Sequence, residues 1–285
     1  MLKNEQITFI GGGTMGEAII KVLVSKELIP PQQITASEPR VDRGKELAER
    51  YGIRITTDNA AAVAGATIVV LSVKPQVLPA VLADVRQKIP PETIVLSIVA
   101  GVSTDTLTSG LGHAMVVRAM PNTPAQVGEG MTVWIATDET SEEQRGQVQA
   151  ILQAMGHAIQ VHEEKELDMA TAVSGTGPAY VFLVMEAMTD AAVHLGFSRY
   201  VARQLVIQTV LGSVRFAQES DAHLAHMRNM VTSPGGTTAE ALYQMEKGSL
   251  RTVISRAIWA AYQKSCLLGQ MKPALNGPVG KSLDE

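Results

Sequence analysis

A chain of 285 residues is long enough for two ordinary domains and a sizeable core. Apolar residues make up 46% and aromatic ones only 4%, so Ala, Val, Leu, Ile and Met must fill the interior. The net charge of -4 is spread evenly, which leaves no basic face for nucleic acid, and the single Cys266 excludes an internal disulfide or a cysteine-built zinc site. The apolar run before Gly11 is too short for a signal peptide and no stretch reaches membrane-span length, so a cytoplasmic protein without membrane partners is expected.

In chain order, Ile7–Ile10 is a short apolar strand, followed by a glycine-rich turn and an amphipathic helix over Met15–Lys26. Ile34–Ser37 is a second strand, residues 41–51 a charged helix closing at Gly52, and residues 53–56 a third strand. A short helix starts at Asn59. Thr67–Val73 is dominated by β-branched and apolar residues, as a strand buried on both faces of a parallel sheet should be. A helix over 76–88 ends at Pro90, and Ile94–Val99 and Met115–Val117 are further strands. Met131–Ala136 and Ala158–Val161, flanking a helix at 142–155, extend the same sheet. Alternating strands and helices predict a Rossmann-like, doubly wound, mostly parallel α/β domain over residues 1–162.

After residue 162 the strand signals stop, and residues 163–285 read as an all-helical domain. A helix from Glu164 is interrupted at Ser174–Pro178 and resumes over Ala179–Leu195. Arg199–Gln218 is a long helix and 222–230 a shorter one. The hydroxyl- and glycine-rich segment Thr232–Thr238 precedes two more helices, and residues 269–285 read as a frayed terminus.

Gly11, Gly13 and Gly16 match G-x-G-x-x-G between a strand and a helix, with Thr14 and Met15 inside the motif. Gly11 allows the tight turn, Gly13 lets backbone approach a pyrophosphate, and Gly16 lets helix and strand pack closely. The free N–H groups and dipole of the helix start receive the negative charge. The end of the second strand carries conflicting signals. Glu38, about twenty residues beyond Gly16, is placed to accept the ribose hydroxyls of NAD, whereas Arg40 and Arg43, helped by Ser37, suit the 2′-phosphate of NADP. Lys74, directly after a buried strand, faces the ligand crevice expected at strand C-termini.

Hydroxyls and paired glycines ahead of a helix, as in Ser233–Thr238, form a natural carboxylate receptor. No catalytic triad emerges from the six scattered histidines. His223 and His226 are three apart, with Asp221 too local to complete a metal site, so no metal is expected.

These motifs together resemble the pyrroline-5-carboxylate reductase family. The likeness rests on Gly11–Gly16, Val73-Lys74-Pro75, Ala100-Gly101-Val102, Arg118–Pro124, Val173–Tyr180, Gln208-Thr209 and Ser233–Thr238, and covers nearly the whole chain. It implies hydride transfer from NADPH, the preferred cofactor, or NADH to the cyclic imine 1-pyrroline-5-carboxylate, giving L-proline. It also implies a homodimer formed through the helical domain, with five dimers assembling into a decamer in many members. By that likeness, Asn59, Val73, Lys74, Pro75, Ala100 and Gly101 join the glycine turn at the cofactor. Met120, Pro121, Asn122 and Thr123 lie beside the reacting ring. Ser233, Gly235, Gly236, Thr237 and Thr238 grip the substrate carboxylate from the partner subunit, with Thr238 at the ring nitrogen. Glu38 departs from many members.

Two rival readings stand beside this one. A β-hydroxyacid dehydrogenase would need a base, for which Lys165 is the candidate, yet Glu163, Glu164 and Glu166 surround it in sequence and suggest local ion pairs. A nucleotide-sensing protein with a reductase fold would have no evident need for the Ser233–Thr238 loop.

Overall fold

The computed structural model describes residues 2–270. Its strands are β1 (Ile7–Ile10), β2 (Ile34–Ser37), β3 (Arg54–Thr56), β4 (Ile68–Leu71), β5 (Ile94–Ser97), β6 (Val116–Met120), β7 (Gly130–Ala136) and β8 (Gly156–Gln160). Between them run α1 (Thr14–Ser25), α2 (Val41–Tyr51), α3 (Asn59–Val63), α4 (Leu78–Val85), α5 (Thr104–Leu111) and α6 (Glu142–Ala154). The rest is helical: α7 (Lys165–Ala170), a π-helical turn Thr171–Gly175, α8 (Gly177–His194), α9 (Arg199–Gln218), α10 (Leu224–Met230), α11 (Thr237–Lys247) and α12 (Leu250–Gln270). Of the tail expected to fray, Gly269 and Gln270 close α12 and the remainder lies outside the described residues.

The eight strands form one sheet in the order β3-β2-β1-β4-β5-β6-β7-β8, with all pairs parallel except β6–β7. The architecture is the doubly wound α/β sheet followed by helices that the sequence predicts. The strands are apolar because both faces are covered. Ile68 and Val70 of β4 join the core under α1, α2 and α6, whereas Val69 and Leu71 join the core under α4 and α5. This alternation is the period-two pattern of a strand sandwiched between helix layers.

Helix α5 is an element the sequence reading missed. Its sequence, Thr104–Leu111, buries only Leu107 and Leu111, too few for a clear periodic signal. The available clues were its ends: Ser103 accepts the Thr106 N–H, and Gly112 takes the left-handed conformation that terminates a helix. The expected helix over 76–88 starts with a 3-10 turn at Pro75–Val77 and becomes α-helical only at Leu78.

The described residues divide into two compact units, one running to Gly175 and including Ala261–Gln270, the other Thr176–Ala260. The first division falls beyond the sheet because α7 is tied to it by charge. Arg118 of β6 pairs with Glu164 at 2.8 Å, and Glu164 also accepts the backbone N–H and hydroxyl of Thr104. Asp168 of α7 accepts the Ser265 hydroxyl of α12 at 2.7 Å.

In the second unit α8 and α9 pack side by side, yet α8 and α11 bury no residue fully. Phe182, Leu183, Leu205, Val214 and Phe216 remain substantially exposed. An apolar surface of this extent on a helical unit marks an association face. No helix among the described residues is long and apolar enough to cross a membrane.

Candidate functional site

The reversal of strand order between β1 and β4 opens a crevice at the C-terminal edge of the sheet. Ile10, Ser37, Leu71, Ser97 and Arg118 stand level along this edge, so the segments that follow them are brought together by register alone.

The glycine turn follows β1. Gly11 has φ +100°, and a Cβ there would meet Val73 and the Ser72 carbonyl at 2.8 and 2.9 Å. A Cβ on Gly16 would stand 2.8 Å from both the Gly11 carbonyl and the Ser72 hydroxyl, which donates to that carbonyl. These two glycines are closed in by the protein itself. Gly13 differs: among the described residues nothing lies within 4 Å of the position its Cβ would take, and it starts α1 without a side-chain cap. The first N–H groups of α1, around Thr14 and Met15, have no intrahelical acceptor, and the positive end of the helix dipole lies behind them. A pyrophosphate fits this arrangement.

Beyond β2, the Ser37 hydroxyl donates to Asn59 Oδ1 at 2.7 Å, and Asn59 Nδ2 donates to Asp84 at 3.0 Å. Glu38 is buried. Its Oε2 accepts the Gly12 N–H at 3.0 Å, and its Oε1 accepts the Arg40 Nε at 2.8 Å. Burial raises the Glu38 pKa, but the hydrogen bonds from Arg40 and the Gly12 N–H outweigh it and hold the carboxyl below the ordinary carboxylate value.

Arg43 is committed elsewhere, to the Gly12 carbonyl, Glu46 and Glu17. Glu17 also accepts from Arg50 and the Tyr51 hydroxyl. Burial again raises its pKa, and the donors, led by Arg43, prevail and lower it.

Lys74 is exposed and precedes the 3-10 turn that Pro75 opens, while Val73 packs under Gly11. Ala100 and Gly101 follow β5. Gly101 has φ +70°, and a Cβ there would meet Leu268 at 3.3 Å, so the last turn of α12 lies against this corner.

The Met120–Thr123 segment continues β6. Asn122 donates through Nδ2 to the Ser174 carbonyl and accepts the Met131 N–H through Oδ1. A Cβ on Gly175 would stand 3.0 Å from Met120 Cε, so the small residue lets the π-helical turn approach this segment closely. Such turns are frequent at functional sites.

In the second unit, Ser233–Thr238 forms one tight turn. Gly235 has φ +68°, a Cβ on Gly236 would collide with the Ser233 hydroxyl, and Gly236 opens α11 with no side-chain cap. The N–H groups and hydroxyls of Thr237 and Thr238 begin that helix, which gives donors for a carboxylate.

Sequence reasoning missed the Arg118–Glu164–Asp168 cluster, the Ser72 bond to the turn, and Asp84. The signal for the first was a lone arginine inside the apolar strand Val116–Ala119. Among the described residues no group of three His, Cys, Asp or Glu side chains could hold a metal ion. His223 instead caps α10, accepting the Ala225 N–H. Lys165 is exposed and ion-paired with Glu163, whose hydrogen bond raises its pKa, the opposite of what a base requires.

Comparison with known proteins gives a consistent result. Residues 164–268 match the family described as pyrroline-5-carboxylate reductase dimerisation, and residues 6–101 match NADP oxidoreductase, coenzyme F420-dependent. The chain is 40% identical over 265 residues to the pyrroline-5-carboxylate reductase of Synechocystis sp., covering 93% of this chain and 98% of that protein. The pyrroline-5-carboxylate reductase structure from Coxiella burnetii superposes with a TM-score of 0.86 at 36% identity, covering 94% of this chain and all of that one. The Plasmodium falciparum pyrroline carboxylate reductase with NADP bound also gives 0.86, at 30% identity, over 94% and 99% of the two chains.

Proposed function

The chain belongs to the pyrroline-5-carboxylate reductase family, and from that premise we infer that it reduces 1-pyrroline-5-carboxylate to L-proline with NAD(P)H, the final step of proline biosynthesis. The observation that carries this reading is similarity over nearly the full length to reductases of that one substrate. The open helix start at Gly13 and the second turn at Ser233–Thr238 support it with local chemistry.

We assign dinucleotide binding to residues 1–162, and dimerisation and substrate binding to residues 163–285. The pyrophosphate is received by Gly11–Gly16, and Ser37, Glu38, Arg40 and Asn59 surround the adenosine end. Val73, Lys74, Pro75, Ala100 and Gly101 line the crevice between. NADPH is the preferred cofactor, a reading supported by NADP in the Plasmodium relative and by the exposed guanidinium of Arg40. The functional unit is a homodimer, as the dimerisation match and the exposed apolar helices support, and a decamer of five dimers is the higher assembly proposed.

The bound dinucleotide supplies a hydride to the imine carbon. A protonated C=N bond is already electrophilic, so the chain's own part is placement. As the family likeness implies, Ser233, Gly236 and Thr237 of one subunit of the homodimer hold the carboxylate of a substrate bound at the other, with N–H and O–H donors at the start of α11, where the helix dipole favours an anion. Thr238 hydrogen-bonds the ring nitrogen, whose lone pair is restored as the hydride arrives. The Met120–Thr123 segment bounds the ring. No general base is needed, in keeping with an exposed, ion-paired Lys165.

Steady-state assays with the cyclic imine and with 3-hydroxy acids test this reading. Turnover of the imine alone is expected. Turnover of hydroxy acids alone supports the dehydrogenase, and cofactor binding without turnover supports a sensor.

A further inference from the structure

We propose that Glu38 is a positioning residue that holds Arg40 for the 2′-phosphate of NADPH, rather than the acceptor of the adenosine ribose hydroxyls. The proposal deepens the reductase reading and rests on it.

An acidic residue just past the second strand ordinarily marks an NAD site, because its two carboxylate oxygens accept the ribose diol. That role needs both oxygens open to the crevice. Glu38 does not meet the requirement. The residue is only 4% exposed. Its Oε2 is taken by the Gly12 N–H, and its Oε1 by both the backbone N–H and the Nε of Arg40, at 3.2 and 2.8 Å. A carboxylate offers about four acceptor positions, and three are filled by donors of the protein itself.

Arg40 shows the complementary state. Its side chain is 68% exposed, and it spends only Nε on Glu38. Among the described residues its two terminal nitrogens make no hydrogen bond. A guanidinium carries five donors in a rigid fork matched to phosphate. Anchoring one edge therefore fixes the plane while leaving the other edge available. A long, exposed side chain otherwise loses considerable rotamer freedom on binding, and anchoring removes part of that cost beforehand.

The other candidates near this strand end are already engaged. Arg43 is spent on Glu17, Glu46 and the Gly12 carbonyl, and the Ser37 hydroxyl on Asn59. The conflict between an acidic NAD signal and a basic NADP signal thus resolves into one unit, in which the acid orients the base.

Titration calorimetry of the full-length protein tests the assignment, using NADP+, NAD+, 2′,5′-ADP and 5′-AMP as ligands. Arg40→Ala should weaken NADP+ and 2′,5′-ADP by about tenfold or more, the loss of one charge-assisted phosphate contact, and leave NAD+ and 5′-AMP within about twofold. Glu38→Gln should weaken the 2′-phosphorylated ligands about fivefold, again sparing the others, and should add little to Arg40→Ala in the double variant.

If Glu38→Gln fails to fold, Arg40→Lys decides the matter. Lysine keeps the charge but has one nitrogen with which to hold Glu38 and the phosphate, so most of the Arg40→Ala loss should appear. Wild-type affinity in Arg40→Lys overturns the proposal. So does a Glu38→Gln protein that binds NAD+ more weakly and NADP+ more tightly, the signature of a ribose acceptor. Equal weakening of both dinucleotides overturns it as well, by assigning Glu38 to the Gly12 turn alone. Failure of the unaltered protein to bind either dinucleotide contradicts the reductase reading itself, and this proposal with it.

Discussion

The Asn122 side chain donates to the Ser174 carbonyl at 3.0 Å, joining the segment after β6 to the π-helical turn before α8. Its other amide atom accepts the Met131 N–H at 2.9 Å, so both ends of the amide are used. A π-helical turn displaces carbonyls from regular helical bonding, and Asn122 satisfies one of them. The side chain thereby fixes the Met120–Thr123 segment, which the proposed mechanism sets against the reacting ring.

Asn122→Ala leaves a donor and an acceptor unpaired in a half-buried setting. A loss of about 2 kcal/mol in stability is expected, at a typical 1–3 kcal/mol for an unsatisfied group. Chemical denaturation measures it, and amide exchange at Met131 should accelerate in the ligand-free protein.

The two kinds of glycine in the turn predict different failures. Gly13→Ala meets no atom of the described residues and should leave the melting temperature unchanged while weakening dinucleotide binding. Gly16→Ala forces a Cβ against the Gly11 carbonyl and Ser72, and should lower the melting temperature. Thermal melts with and without NADP+ separate the two.

Thr238→Ala should reduce kcat/KM for the imine by roughly 10- to 1000-fold, the range for losing one active-site donor, with dinucleotide affinity unchanged. Wild-type kinetics would remove Thr238 from the mechanism.

Glu17 and Glu38 both have folded-state pKa values below the ordinary one of 4.5. The unfolded chain therefore binds protons more readily, and the stability these carboxylates contribute is complete above the unfolded value. It is lost as pH falls through the lower folded values, so the urea midpoint should drop from about pH 5 downwards. Glu17→Gln should flatten that dependence and lower the midpoint at neutral pH.

Much of this architecture was legible in the sequence. Strands buried on both faces read as continuous apolar runs, and β1 and β2 begin and end where the pattern does. Helix α9 likewise matches its predicted ends. The helix α5 was hidden because it buries little. The bonding of Glu38 was hidden for a different reason. Residue type and spacing place a carboxylate at the strand end, but only folded geometry decides whether it faces a ribose or the Gly12 N–H. The pairing of Arg118 with Glu164 spans 46 positions, a separation no local pattern encodes.

That pairing also carries a stability prediction. The Arg118 side chain is 7% exposed, and Glu164→Ala would leave it, among the described residues, facing only the Asp168 carboxylate at 3.7 Å. A loss of about 3 kcal/mol is expected, as when one member of a buried pair is removed, whereas replacing both by apolar residues should cost much less.

The most direct measurement follows the hydride itself. The protein is incubated with 1-pyrroline-5-carboxylate and NADPH carrying deuterium at the transferable C4 position, and the product is analysed by mass spectrometry and NMR. The account predicts L-proline bearing one deuterium at C5 for each dinucleotide oxidised, with NADPH more effective than NADH. Dinucleotide binding without labelled proline would contradict it.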